Sequence, residues 1–269
     1  MIKSAFCYIF KVEDFDQAVA KLASLGYDGV ELWPQVVEVI PIEHIKEMLD
    51  ANKIACAQIC PYFNFVEGKE LWDKSMEIAS RYIDYAVKLG NPLIRVFTGR
   101  VWGGPAVGAH VATEEQWSAA IEGIKKICDM AAPHGLRLAL ECHRGTLMED
   151  SPSALRLLRE VDKPNLGLNL QLPLLNEDVD YSVEQVGKYT IHMHANNWSD
   201  RESMGQDKNL TFVRDGVIDY NKVIRRLLKL GFDGYVSIEH ANHAGAHDPW
   251  LTAEVDGAYL NELKSALNK

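Results

Sequence analysis

Apolar residues recur along the chain with two alternating periods. In the stretch FDQAVAKLASLG, Phe15, Ala18, Val19, Leu22 and Leu25 fall on one face at helical spacing. The same period returns at Trp72, Met76, Ala79, Ile83 and Ala86, and again at Trp117, Ile121, Ile124, Cys128 and Ala131. Tyr220, Val223, Ile224, Leu227 and Leu228 form a fourth stripe. Gly26, Gly90, Gly135 and Gly231 close several of these stretches, as a left-handed helix stop requires. Ser151–Pro152 and Asp219 read as helix starts. Between the helical stretches lie short apolar runs of the kind that buried parallel strands use: IKSAFCYI, DGVELW, IACAQIC, LIRVFTG, LRLALE, LGLNLQL, TIHMHA and GYVSIE. Eight such runs alternating with helices predict an α/β fold, a single (β/α)8 TIM barrel spanning residues 1–269. The competing open sheet lacks a glycine-rich phosphate fingerprint after the first strand. A faint echo between LASLGYDGVELW (22–33) and LLKLGFDGYVSIE (227–239) is what repeated βα units would leave.

Composition narrows the partners. The 269 residues are 47% hydrophobic and 25% charged, with 28 basic against 38 acidic side chains and a net charge of −10. Nucleic-acid binders carry a basic stripe; here the cationic spots at 124–126 and 224–226 sit within helical patterns, so a small molecule is the expected partner and nucleic acid is not. No apolar run reaches the roughly 18–20 residues of a membrane span. The N-terminus turns polar too early for a signal peptide. Five cysteines without a CxxC pair read as reduced, mostly buried thiols, which points to the cytoplasm. A homo-oligomer is compatible with all of this.

In such a barrel the C-terminal ends of the strands share one mouth, where the chemistry sits. The polar residues at those ends are Glu31 and Trp33 on strand two, and Arg95 with Thr98 on strand four. Strand five gives Glu141 and His143, and strand six Gln171. Strand seven gives His192, His194, Asn196 and Asn197, and strand eight Glu239. Burying two carboxylates together costs several kcal/mol without a cation. A divalent metal removes that cost, and mixed oxygen and nitrogen donors suit Mn2+, Mg2+, Co2+ or Zn2+.

The motifs GYDGVELW, LIRVFTG, GLRLALECHRGTL, IHMHANN, GVIDYNKVIRRLLKLGFDGYVSIE and a late Asp248–Pro249 are together similar, in order and spacing, to the sugar phosphate isomerase/epimerase family. These are the xylose-isomerase-like barrels, which also include the type IV apurinic endonucleases. The resemblance implies one divalent metal held by Glu141, Gln171, His194 and Glu239. Gln171 stands where the family has aspartate, Asn196 and Asn197 replace its Lys-Asp, and Leu147 replaces a further glutamate of the epimerase subgroup. The activity implied is a metal-dependent isomerase or epimerase of a sugar or sugar derivative, with proton transfer alpha to a carbonyl and Glu141 and Glu239 as acid and base. Elimination of water from an inositol-like or sugar-acid substrate is the alternative enzymatic outcome. A non-catalytic sugar-binding barrel is the alternative that the neutral replacements raise. His143 either shuttles the proton or orients Glu141. Trp33, Trp102 and Trp198 either stack on a sugar face or plug the mouth. Asn196 and Arg95 complete the expected substrate contacts; Arg95 has an alternative as the ion-pair partner of a barrel carboxylate such as Glu31. Specificity is assigned to the loops at 99–113 and 199–216.

Overall fold

The computed structural model describes residues 2–99, 108–239 and 248–267. Trp102 and most of the 99–113 loop lie outside these.

Eight parallel strands close into a barrel: β1 (Lys3–Cys7), β2 (Gly29–Leu32), β3 (Ala55–Ile59), β4 (Leu93–Val96), β5 (Leu138–Glu141), β6 (Leu166–Gln171), β7 (Thr190–Ala195) and β8 (Tyr235–Ile238). Closure is made by β1 against β8, with Lys3 opposite Tyr235 and Phe6 opposite Ile238. Each expected apolar run holds one strand. Among the described residues, eight helices of two turns or more cover the outside: α1 (Phe15–Ser24), α2 (Ile42–Asn52), α3 (Lys69–Lys88), α4 (Glu114–Ala131), α5 (Ser151–Val161), α6 (Val179–Val186), α7 (Tyr220–Lys229) and α8 (Pro249–Leu267). Their apolar stripes face the sheet: Phe15, Ala18, Val19 and Leu22 of α1 and Tyr220, Val223, Ile224 and Leu227 of α7 are buried. No helix among the described residues is long and apolar enough to cross a membrane. All five cysteines are buried free thiols.

Local chemistry sets the helix ends. Asp150 caps α5 by accepting from Ser153 N at 2.9 Å, with the Ser153 hydroxyl answering to the Asp150 backbone, and Asp219 caps α7 through Lys222 N at 3.0 Å. Each such cap contributes about 1 kcal/mol. Gly26 (φ 84°) and Gly231 (φ 95°) take the left-handed conformation after α1 and α7, and the chain then enters the Asp-Gly-strand echo on β2 and β8. The echo therefore marks two equivalent helix-to-strand corners, which deliver Glu31 and Glu239 to the barrel.

After β7 the chain leaves the barrel in a two-strand ribbon, Asn197–Trp198 against Leu210–Thr211. Asn197 ties its return: its amide donates to Val213 O and Ile218 O and accepts from Ile218 N. Asp256 of α8 anchors the same segment, accepting from Val213 N at 2.8 Å, while its second oxygen has no hydrogen-bond partner among the described residues. Burial raises the Asp256 carboxyl to about 7. This has a consequence for stability. A carboxyl raised above its unfolded value of about 3.9 adds stability at low pH, and that stability drains away as pH rises towards 7. Asp256→Asn keeps an acceptor for Val213 and cannot ionise. Its stability relative to the parent should therefore rise between pH 4 and 8, by at most about 4 kcal/mol. Urea melts at the two pH values read this directly; a pH-independent difference would place the proton elsewhere.

Candidate active site

The barrel mouth holds a cavity of about 850 Å³ lined, among others, by Trp33, Arg95, Glu141, Gln171, Asn196 and Glu239. At its floor four strand ends meet. Gln171 and His194 stand opposite one another in the β6–β7 register, Glu141 ends β5, and Glu239 follows β8. One ligand atom each from Glu141, His194 and Glu239 lies within 4.8 Å of the others.

Each side chain has one atom tied down and one unspent. Glu141 Oε2 accepts from Arg95 Nη1 at 3.0 Å, which leaves Oε1 3.7 Å from His194 Nδ1. Glu239 Oε2 accepts from Gln171 Nε2 at 2.8 Å and Asn196 Nδ2 at 2.7 Å, which leaves Oε1 3.2 Å from the same nitrogen. Because Gln171 spends its NH2 on Glu239, its Oε1 is buried without a hydrogen-bond partner among the described residues. His194 Nε2 lies 3.1 Å from Glu31 Oε2. Two carboxylate oxygens and an imidazole nitrogen are thus grouped, and an unspent amide oxygen belongs to the residue opposite His194 in the register. That donor set fits a divalent cation of the Mg2+, Mn2+, Co2+ or Zn2+ class, held by Glu141, Gln171, His194 and Glu239.

The electrostatics agree with such a centre. Burial works against charge on Glu141, but the Arg95 guanidinium and His194 together outweigh it and hold the carboxyl below its usual range. Glu239 is likewise opposed by burial, yet His194 and the Asn196 amide bring it down to about 2. Burial would strip His194 of its proton; Glu239 and Glu31 instead push its basicity well above the ordinary imidazole value. Without a metal, a proton between His194 and the carboxylates supplies the positive charge that the pair of carboxylates needs.

Arg95 does pair with a barrel carboxylate, as one of its two expected roles has it, but the carboxylate is Glu141 and not Glu31. The arginine is 1% exposed, bonded to Glu141 and to the carbonyls of Cys60 and Pro61 at 3.1 Å, and its guanidinium lies 4.4–4.6 Å from the ring centres of Tyr62, Trp33 and Phe97. Glu31 sits where it faces β7 across the barrel, bonded to His192 and His194. Trp198 lines the cavity, but its indole N–H is spent on Gln206 O at 2.7 Å, so it also holds the ribbon loop. Asn196 lines the cavity and orients Glu239. His143 is half-buried at the rim, with Nδ1 on Arg144 O at 2.8 Å and its ring 5.6 Å from Phe97.

Two residues escaped the sequence reading. Leu147 is fully buried, but Glu149, two positions on, lines the cavity with Oε2 on Gly145 N at 3.0 Å. Tyr62 forms one wall of the cage around Arg95. Neither ends a strand, and the loop after β5 could have been scanned for carboxylates beyond the expected position.

Comparison with known proteins agrees with the fold. Over 239 residues the chain is 23% identical to 3-dehydroshikimate dehydratase of Bacillus anthracis, covering 81% of this chain and 82% of that one. The crystal structure of D-allulose 3-epimerase from Methylomonas sp. in complex with D-allulose superposes with a TM-score of 0.78 at 17% identity, covering 97% and 96% of the two chains. A xylose isomerase-like TIM barrel protein from Mycobacterium smegmatis in complex with magnesium gives 0.76 at 21% identity, with 99% and 97% covered. The profile of the xylose isomerase-like TIM barrel family matches residues 19–262, nearly the whole barrel, and the chain belongs to that family.

Proposed function

We propose that the protein removes a proton alpha to the carbonyl of a polyhydroxylated ketone or sugar derivative at a divalent metal, and that water is then eliminated. The observation that carries the reading is the grouping of ligand atoms from Glu141, His194 and Glu239 within 4.8 Å of one another, with the Gln171 amide oxygen, unpartnered among the described residues, on the strand position opposite His194. When bound there, a divalent cation supplies Lewis-acid stabilisation for the negative charge that develops on a substrate oxygen. Related proteins named as a dehydratase and as an epimerase begin from the same kind of carbonyl substrate.

Arg95 gives the two carboxylates unequal work. Protonating Glu141 would break its bond to a buried guanidinium, a loss of about 3–5 kcal/mol. Glu239 is held by neutral amides and His194, with no arginine on it among the described residues. Glu239 therefore takes the carbon-bound proton, and Glu141 stays charged. The C–H electron pair becomes the new double bond, the beta C–O bond breaks, and a proton from His143 lets the hydroxyl leave as water. Trp33 and the apolar part of the wall shield this step from solvent. Epimerisation is the second reading, favoured by the presence of two carboxylates, Glu141 and Glu239, at one site, one able to remove a proton and the other to return one.

Incubation of the metal-loaded protein in D2O with cyclic polyol ketones and ketohexoses separates these. Elimination lowers the product mass by one water. Epimerisation leaves composition unchanged and introduces one deuterium at carbon. A protein that saturably binds such compounds and exchanges no deuterium under any of the four metals would overturn both.

A further inference from the structure

Glu31 lies at the end of β2, is completely buried, and has no part in the donor set above. Four side chains converge on its carboxylate. Oε1 takes His192 Nε2 at 2.6 Å, and Oε2 takes Gln58 Nε2 at 3.0 Å, His194 Nε2 at 3.1 Å and the Cys60 thiol at 3.4 Å. A buried carboxylate is costly, so a barrel that places one under its mouth and surrounds it with donors is using it.

We propose that Glu31 is a positioning residue for the cation site: it fixes a proton on His194 Nε2 and so turns the Nδ1 lone pair towards Glu141 and Glu239. The proposal rests on the reading of His194 as a metal ligand. A neutral imidazole has one N–H and one lone pair, and the partner of one nitrogen decides what the other can do. Two groups compete for Nε2. Glu31 can only accept a proton there, whereas Asn169 Nδ2, at 3.0 Å, could donate to a lone pair. If Asn169 won, a charged oxygen would face a lone pair at 3.1 Å, and Nδ1 would carry the proton and lose its capacity as a ligand. With Glu31 in control the conflict disappears. Asn169 Oδ1 has no partner among the described residues, and a half-turn of that amide lets it share the same N–H. Carboxylate support behind a metal-bound histidine is a general way to fix its tautomer and orientation; here it comes from the far side of the barrel.

Cys7, Glu31 and His194 also stand close enough to form a second metal-binding group. The hydrogen bonds argue against it. Glu31 is spent on four side chains, the Cys7 thiol lies 3.7 Å from Ser237 Oγ, and burial, reinforced by Glu31, keeps that thiol protonated. Protons, not an ion, organise this layer.

The test joins two readouts. In 15N-histidine-labelled protein saturated with Zn2+, correlation spectra should show a slowly exchanging proton on His194 Nε2, which is lost or weakened in Glu31→Gln and kept in Asn169→Ala. By chelator competition, Zn2+ should bind Glu31→Gln about 10–100-fold more weakly than the parent, with Asn169→Ala close to the parent. A bare Nε2 in the parent, or unchanged Zn2+ affinity in folded Glu31→Gln, overturns the proposal. If Glu31→Gln does not fold, the parent spectrum and Asn169→Ala decide it: loss of the Nε2 proton in Asn169→Ala would assign control to the amide. Failure of the parent to bind Zn2+ overturns the metal reading itself, and is recognisable because parent and variants then agree.

Discussion

In Glu141→Gln, bound metal should fall about 100-fold in affinity or more, and the metal-free protein should melt about 10 °C lower. Both effects come from Arg95. Its guanidinium, 1% exposed, will hold the oxygen of the new amide, because an arginine has only donors to offer. The amide NH2 is then aimed at His194 Nδ1 and at the place where Glu141 Oε1 would meet a cation. A ligand is replaced by a donor, which is worse than its removal. The stability loss follows from leaving a buried cation without its countercharge, about 3–5 kcal/mol, which for a chain of this size is a large share of its thermal margin. The two effects separate in a double variant. Adding Arg95→Met to Glu141→Gln should restore much of the melting temperature and none of the metal. Calorimetry in chelator and equilibrium dialysis measure them independently. Metal retained at parental affinity in a folded Glu141→Gln protein would remove Glu141 from the site.

Gln171→Asp should act in the opposite direction on metal and in the same direction on the metal-free fold. The amide now donates to Glu239 at 2.8 Å. A carboxylate there cannot, so Glu239 loses one of its two amide donors and gains a negative neighbour. A hydrogen bond to a charged group is worth about 1.5–3 kcal/mol, and the metal-free protein should be weakened by that order. The new charge adds to the pull on a cation, so affinity should tighten by about 10-fold, on the order of 1.4 kcal/mol. The gap between melting temperatures with chelator and with saturating metal should therefore widen from both sides. A gap that narrows would mean that the Gln171 oxygen is not a ligand.

Much of this frame was legible in the chain. The eight strands could be read because each is short, apolar and bounded by glycine or polar turns, and Glu141, Gln171, His194 and Glu239 could be read because they end strands that are neighbours in the sheet. Depth inside the barrel was not legible. Arg95 was assigned Glu31 as an alternative partner, since both point inward. Which carboxylate an interior arginine reaches depends on the stagger of the strands, and that is altered by register shifts at Val30/Glu31 and Leu168/Asn169. The partners of Glu31 on β7 lie 161 and 163 residues away in sequence, at a level set by closure of the whole barrel. Trp198 and Asn196 were assigned to substrate from their place after β7. Their hydrogen bonds to Gln206 and Glu239 arise from the path of the following loop, which no local pattern encodes.

The measurement that bears most directly on the account is metal content of the parent protein by plasma mass spectrometry, after chelation and after re-addition of Mn2+, Mg2+, Co2+ or Zn2+. The grouping of Glu141, His194 and Glu239, with Gln171 opposite His194, predicts about one ion per chain, removed by chelator, regained with at least one of the four metals, and bound at least about 100-fold more weakly by Glu141→Gln. A parent protein that regains none of them would contradict the central claim and leave the cavity to bind its ligand through Arg95 and its neighbours alone.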